Sequence, residues 1–229
     1  MRGDSVLQFA ENELQIGALI FMAVVYGLKI RWILSFPAGR DRQAPARNPE
    51  RSARKGARLS LLQIAMPWAM GSTRQHPLLY AQFAFFHIAV AASIAMSFLI
   101  PYAPGAITSR PAVIALRLIF AAGFFVGIAR LFRRVKDPYM RSISTPDDYF
   151  SLAWLIVWLA LSFLAAPNQP DRSEWPLLGY FFLTAFFLAY VPFSKISHYL
   201  YYPFARWYLG RTLGHRGVYP LGRGVEIHP

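Results

Sequence analysis

The chain has 229 residues, of which 55% are hydrophobic and 16% aromatic, and this composition excludes an ordinary soluble domain. It contains no cysteine, which excludes iron–sulfur clusters, thiolate zinc sites and disulfides from this chain. The formal net charge of +13 is concentrated in a few loops, which indicates orientation in a membrane and argues against a nucleic-acid groove.

Five long apolar stretches predict an all-α integral membrane protein, folded as a five-helix transmembrane bundle with residues 1–229 in a single domain. The expected spans are about 14–36, 78–100, 112–132, 147–166 and 175–202. The fourth span has the clearest start, because Thr145 can cap the helix and Pro146 fits its first position. Pro192 is expected to kink the fifth span. The residues before the first span show no signal-peptide pattern.

The basic residues follow the connections between these spans. Of the 24 Lys and Arg residues, 20 lie in residues 29–74, 130–141 and 195–223. If five spans cross the membrane with the N-terminus outside, all three basic stretches and the C-terminus lie on the cytoplasmic side. The sequence therefore predicts a multi-pass protein of the cytoplasmic (inner) membrane. The basic loop 37–77 could be disordered, bind anionic lipid head groups or dock a partner, and 203–229 is expected to be a cytoplasmic tail.

Two histidines fall within the expected spans. His87 lies early in the second span and His198 near the end of the fifth, so the predicted topology places both in the cytoplasmic half. His87 alone could equally hydrogen-bond to a neighbouring helix or ligate a metal. Two imidazoles at similar depth suit a haem iron with two axial ligands, whereas zinc would need ligands that no Asp, Glu or third His supplies at that depth.

Several motifs together resemble a known family. They are Phe86-His87-Ile88, an arginine pair after the third span, Ser144 to Tyr149 opening the fourth, and Pro192 to His198 closing the fifth. The chain resembles the membrane cytochrome b (gamma) subunit of respiratory nitrate reductase and its relatives in Hmc-type, Dsr-type and heterodisulfide-reductase-type complexes. The resemblance implies electron transfer between the quinone pool and a cytoplasmic-side iron–sulfur protein, with His87 and His198 as haem b ligands.

The same resemblance implies one haem where the nitrate reductase subunit has two. That subunit carries a further histidine ten residues after the first ligand and another 18 residues before the last. In this chain those positions are Ser97 and Tyr180, which are not ligands of a b-type haem in this family. The expectation is therefore a one-haem relative that belongs to a different complex.

A quinone, if bound, needs hydrogen-bond partners and a proton path near a membrane edge. Two groups of polar side chains meet this need: an inner site near His76 and Gln82, and an outer site near Arg110 and Arg117. His76 could also be a solvated interfacial residue, and Arg117 could extend outward to the membrane surface or line a polar cavity.

The sequence thus favours an electron-transfer subunit of a hetero-oligomeric, quinone-linked oxidoreductase rather than a complete enzyme. Its expected associates are one haem b, a quinone, membrane lipid and an iron–sulfur subunit, with no nucleic acid. The 37–76 loop and the 203–229 tail are expected to dock that subunit through their arginines and through Trp68, Trp207 and Tyr208. The alternatives are a haem-free anchor or small transporter, and a quinone-binding module with no partner.

Overall fold

A computed structural model describes residues 6–37, 39 and 41–220. These residues form ten α-helices and several short 3₁₀ turns, with no β-strand among them. The helices are α1 (Val6–Glu11), α2 (Glu13–Ser35), α3 (Pro49–Leu62), α4 (Gly71–Gln75), α5 (Pro77–Tyr102), α6 (Arg110–Lys136), α7 (Pro138–Ser142), α8 (Pro146–Ala165), α9 (Trp175–Tyr190) and α10 (His198–His215). The all-α fold expected from the sequence is confirmed.

Among the described residues, five stretches of helix are long and apolar enough to cross a bilayer. They are Val6–Ser35, Pro77–Tyr102, Arg110–Lys136, Pro146–Ala165 and Trp175–Phe193. The protein is therefore a multi-pass membrane protein with five candidate spanning helices, as predicted.

The fifth span differs from the expectation at its end. It was expected to continue, kinked, to about residue 202, but α9 ends at Tyr190 and two 3₁₀ turns, Val191–Phe193 and Lys195–Ser197, precede α10. Pro192 explains the break, because proline has no N–H to donate and its ring clashes with the preceding turn. His198 is consequently the first residue of a new helix.

The contacts divide the described chain into two compact units. The first contains residues 6–29 and 81–196, and the second contains residues 30–80 and 197–220. The boundaries fall within α2, within α5 and just before α10.

In the first unit, α5, α6 and α8 pack closely because α6 presents glycine to its neighbours. A Cβ at Gly123 would meet the Ala89 side chain of α5 and lie 3.2 Å from Leu159 Cδ1 of α8. A Cβ at Gly127 would lie 2.8 Å from Ile156 Cγ1. Small residues spaced four apart allow this approach in membrane helices, where close packing replaces the hydrophobic effect as the source of association.

The start of α8 follows the predicted pattern. The helix begins at Pro146 with Thr145 as its N-cap residue. The Asp148 carboxylate accepts hydrogen bonds from the Thr145 backbone N–H and hydroxyl, both at 2.8 Å. These bonds and the proline fix where the fourth span begins.

In the second unit, α3 and α10 form a close antiparallel pair. Gly56 faces Gly210, and Gly214 faces Ser52 and Ala53. A Cβ at Gly210 would lie only 2.5 Å from the Gly56 carbonyl oxygen. The helices therefore touch through backbone, a separation that only glycine at these positions permits.

Polar contacts complete this helix pair. Arg206 of α10 donates from Nε to the Ser60 carbonyl at 3.1 Å and also contacts the Gln63 side-chain oxygen. Tyr202 donates to the Leu61 carbonyl at 3.2 Å. The segment expected as a basic loop thus contains a helix, Pro49–Leu62, held to α10 along its length.

The segment before α3 is attached to the end of α10. The Arg216 guanidinium donates two hydrogen bonds to the Asp41 carboxylate, at 2.8 and 3.1 Å, and the Ala46 N–H donates to the His215 carbonyl at 2.8 Å. The hydrogen bond from Arg216 lowers the pKa of Asp41 below its usual value, assisted by a bond from the Gln43 N–H. An ionised Asp41 therefore holds this segment in place.

Candidate functional site

His87 is held in one orientation by its own helix. It lies half-buried on α5, with Nδ1 2.7 Å from the Phe83 carbonyl oxygen one turn earlier. Its ring packs against the Phe83 ring, with centroids 4.2 Å apart, and meets the Phe86 ring edge-on at 6.2 Å. A carbonyl oxygen can only accept, so Nδ1 carries the proton. In this tautomer of the neutral imidazole, the lone pair lies on Nε2, the nitrogen that can ligate a metal.

His198 begins α10 and lies in the second unit. Its side chain is exposed, and its ring centroid is 6.4 Å from that of Tyr199. The residue before it, Ser197, is buried. His87 belongs to the first unit, so the pairing of the two histidines stays a prediction.

The two positions at which the two-haem subunit that this chain resembles has histidine are Ser97 and Tyr180 here. Tyr180 is fully buried, and its hydroxyl donates to the Ser93 carbonyl at 2.6 Å. Its ring stacks parallel to the Trp158 ring, with centroids 6.3 Å apart. The Ser97 hydroxyl donates to the Ile94 carbonyl of its own helix at 2.7 Å. Neither residue is set up as a ligand.

Tyr180 belongs to a closed polar network between α5, α8 and α9. The Ser93 and Ser162 hydroxyl oxygens are 2.6 Å apart, and the Ser162 hydroxyl is 2.7 Å from the Trp158 carbonyl. The Trp158 indole N–H donates to the Thr184 hydroxyl at 2.8 Å, which donates to the Tyr180 carbonyl at 2.7 Å. Each member is at most 5% exposed, so this part of the bundle is filled by side chains that satisfy one another.

The two arginines of the expected outer quinone site lie in the first unit. Arg110 is exposed at the first position of α6. Arg117 is partly buried, donates from Nε to the Phe163 carbonyl at 3.3 Å, and lies over the Phe163 ring at 5.0 Å from its centroid. Arg117 therefore turns towards α8, an arrangement that combines a hydrogen bond with a cation–π contact.

The two residues of the expected inner quinone site fall in different units. His76 is exposed and ends the segment just before α5, where its carbonyl accepts from the Leu79 and Tyr80 N–H groups at 3.1 and 3.3 Å. Gln82 is partly buried on α5 in the first unit. The structure therefore does not describe a shared pocket for them.

Three of the motifs behind the family resemblance meet in the first unit: the arginine pair after the third span, the opening of the fourth span and the turns after α9. The Asp147 carboxylate accepts from the Lys195 backbone N–H at 2.8 Å and from the Tyr190 hydroxyl. Asp148 forms a salt bridge of 2.6 Å with Lys195 Nζ, and Arg134 lies 3.7 Å from the same carboxylate. The opening of α8, the end of α6 and the turns after α9 are thus joined by one polar junction.

Lys29 and the break after α9 are also connected. The Lys29 ammonium donates to the Pro192 carbonyl and lies over the Phe193 ring, 5.4 Å from its centroid. Pro192 interrupts the helix and leaves nearby carbonyl groups without helical N–H partners. Lys29 supplies a donor where the helix cannot.

The sequence did not predict the contact of Lys29 with Pro192 or the junction at Asp147. The proline break and the paired aspartates were visible, but their partners lie 163 and 48 positions away in the chain. Only the fold brings these groups together.

Comparisons with known proteins assign no activity. No family model and no solved structure matches the chain. The chain is similar to a curated protein from Nitratidesulfovibrio vulgaris (strain Hildenborough), with 27% identity over 169 residues, covering 68% of this chain and 70% of that protein. The recorded name of that relative is simply "Protein".

Among the described residues, no group of three or more His, Cys, Asp or Glu side chains is arranged to hold a metal ion. A haem iron needs only two protein ligands, because the porphyrin supplies four nitrogens. The His87 tautomer set by Phe83 fits such a ligand. Ser97 and Tyr180 do not fit a second pair.

Proposed function

We propose that the chain is the membrane cytochrome b subunit of a respiratory oxidoreductase complex, related to the nitrate reductase gamma subunit. It would transfer electrons between the quinone pool and a cytoplasmic-side iron–sulfur subunit. The observation that carries this proposal is the bond from His87 Nδ1 to the Phe83 carbonyl, at 2.7 Å. That bond orients the imidazole and leaves Nε2 as its metal-binding nitrogen, as in other metal-ligating histidines.

In this proposal His87 and His198 hold one haem b, which supplies reversible one-electron transfer when bound. The first unit contributes the orienting Phe83 carbonyl and the aromatic surroundings of His87. An apolar, aromatic environment excludes water from the metal ligand and lowers the local dielectric, two means by which a protein tunes a bound redox group.

The closed network around Tyr180 supports one haem rather than two. Tyr180, Trp158 and Ser162 are each at most 3% exposed and bonded to one another or to the adjacent helix. A second porphyrin at this level would have to displace these side chains and leave their polar groups unsatisfied. The packing therefore agrees with the loss of histidine at positions 97 and 180.

The proposed partner surface is the second unit. Its helix α3 carries four basic residues, and α10 adds the exposed aromatic residues Trp207 and Tyr208. Aromatic and arginine side chains are favoured at interface centres. With the basic loops on the cytoplasmic side of the inner membrane, this surface would face an iron–sulfur subunit, since the chain itself has no cysteine to hold such clusters.

A quinone site remains part of the proposal, with the inner residues His76 and Gln82 and the outer residues Arg110 and Arg117 as candidates. Substituting His76→Ala and Arg117→Gln separately, and measuring quinol oxidation by the intact complex, should identify one of the two sites. Unchanged rates in both variants would remove both sites from the proposal.

The decisive experiment counts haem. A pyridine haemochrome assay of the purified chain, set against protein concentration, is expected to give one haem b per chain. His87→Ala and His198→Ala should each lose most of it, while the matched control His215→Ala, at the end of α10, should keep it.

Other results of this assay would contradict the proposal, each in a different way. A chain with no haem absorption at all, from a source that makes haem b, would favour the haem-free anchor or transporter. A ratio near two, or full haem retention in both variants, would show that the two-histidine assignment is wrong.

A further inference from the structure

A narrow basic cleft runs along one side of the α3–α10 pair in the second unit. It has a volume of about 310 Å³ and is lined by Glu50, Ala53, Arg54, Ala57, Arg58, Trp207 and Arg211. Ala53 and Ala57 form the floor, because both are buried against α10. Arg54 and Arg58 stand one turn apart on α3, and Trp207 and Arg211 stand one turn apart on α10.

The three guanidinium groups of this cleft are not neutralised within the described chain. No described carboxylate lies within 4 Å of Arg54, Arg58 or Arg211. The nearby Arg216 contrasts with them, because it is fully engaged with Asp41. Glu50 is the single acidic residue in the lining, so the cleft has an excess of two positive charges.

Such a cleft suits a phosphate ester. Guanidinium groups bind phosphate oxygens through paired N–H donors. Three of them around one pocket supply more positive charge and more donors than a single carboxylate requires. The volume of the cleft is typical of a small-molecule site. A stable protein interface is a much broader surface, which buries about 800 Å² on each partner. The chemistry points to a compact anion and not to a broad protein surface.

The source of the phosphate follows from the surroundings of the cleft. In the sequence, only residues 194–197 separate the last candidate span from α10, so α10 begins near a bilayer surface. Trp207, which is 45% exposed, is of the residue type enriched at membrane–water interfaces. Basic residues beside a span attract anionic head groups.

We propose that the cleft between Arg54, Arg58 and Arg211 binds the phosphate head group of an anionic membrane lipid, with Trp207 against the glycerol region. This proposal is independent of the haem assignment. It assigns Arg54, Arg58 and Trp207 to lipid and leaves the basic and aromatic residues that do not line the cleft, such as Arg51, Lys55 and Tyr208, to the partner surface proposed above.

The test uses the full chain purified in an uncharged detergent. Native mass spectrometry would measure the binding of added phosphatidylglycerol and, separately, of phosphatidylcholine. The test variant R54Q/R58Q removes two positive charges from the cleft. The control R51Q/K55Q removes two positive charges from the same helix at positions that do not line it. Both pairs are exposed, so helix content should be unchanged.

The unmodified chain should retain phosphatidylglycerol and release phosphatidylcholine. R54Q/R58Q should bind phosphatidylglycerol about tenfold more weakly, and R51Q/K55Q less than about threefold more weakly. Equal losses in the two variants would show a diffuse surface charge and overturn the proposal, as would equal retention of the two lipids.

Two other occupants would also give distinct results. Displacement of the lipid by inorganic phosphate at similar concentration would show a site for free anions. Unchanged lipid binding by R54Q/R58Q, together with loss of a protein that co-purifies with the unmodified chain, would show a protein docking site. Either result would contradict the proposal.

Discussion

The backbone contact between α3 and α10 makes a sharp prediction for Gly210→Ala. The new Cβ would lie 2.5 Å from the Gly56 carbonyl oxygen, 2.5 Å from Ser60 Cβ and 2.9 Å from Ala57 Cα. Ordinary contacts of a Cβ begin near 3.4 Å, so the helices would have to separate by about 0.9 Å. Two of the three obstructing atoms are backbone, and rotation of a side chain cannot relieve the clash.

Two effects of this substitution oppose each other. Alanine favours a helix interior over glycine by about 1 kcal/mol. Overpacking costs about 1–3 kcal/mol, and a gap approaching 1 Å forfeits a quarter to a half of each dispersion contact along the helix pair. The steric effect should win, with a net destabilisation of the helix pair of about 1–2 kcal/mol.

Hydrogen exchange measured by mass spectrometry can test this value locally. A loss of about 1–2 kcal/mol should accelerate exchange of the α3 and α10 amides by roughly 5- to 30-fold. Gly27→Ala is the matched control, because a Cβ at Gly27 in α2 would have no neighbour within 4 Å. Exchange in α3 and α10 no faster in Gly210→Ala than in Gly27→Ala would refute the close-contact reasoning.

Two further predictions concern polar contacts. Tyr180→Phe removes a buried hydroxyl bonded to a backbone carbonyl and should lower the free energy of unfolding by about 0.5–1.5 kcal/mol, whereas Tyr180→Ala should lower it by about 3–5 kcal/mol. Equal thermal unfolding temperatures of the two variants in detergent would contradict this difference. Because the pKa of Asp41 is lowered in the folded chain, its bond to Arg216 stabilises the folded chain at neutral pH and should be lost as the pH falls below about 4. Residues 41–46 should then exchange hydrogen faster, and Asp41→Asn should abolish that pH dependence.

The main features of the fold could be predicted from composition and local pattern. A run of about 20 apolar residues identifies a membrane span, because a helix of that length is needed to cross the bilayer core. On this basis the sequence predicted all five candidate spans of the described chain. The start of α8 was found because capping chemistry is local: Thr145, Pro146 and Asp148 lie within four residues of one another. The break after Pro192 was expected only as a kink, since proline alone does not determine whether the helix resumes at once.

The α3–α10 pair escaped prediction because its signal is weak in each segment. Gly56 and Ser60 on one helix, and Gly210 and Gly214 on the other, repeat every fourth position, but basic residues and proline surround them and suggest a loop. The repeat identifies a helix-packing face only when the two segments are considered together. The same limit applies to His87 and His198, whose pairing the sequence predicts and which the structure describes in separate units.

The contacts of α2 have a consequence for how the bundle is made. Gln15 donates to the Phe181 carbonyl at 2.8 Å, and Lys29 donates to the Pro192 carbonyl. Their partners lie 166 and 163 positions later in the chain, on the candidate span Trp175–Phe193. During synthesis α2 is therefore made before the two carbonyl groups that these side chains bind on the later span. A chain that stalls before α9 would lack both of these contacts between α2 and the rest of the bundle.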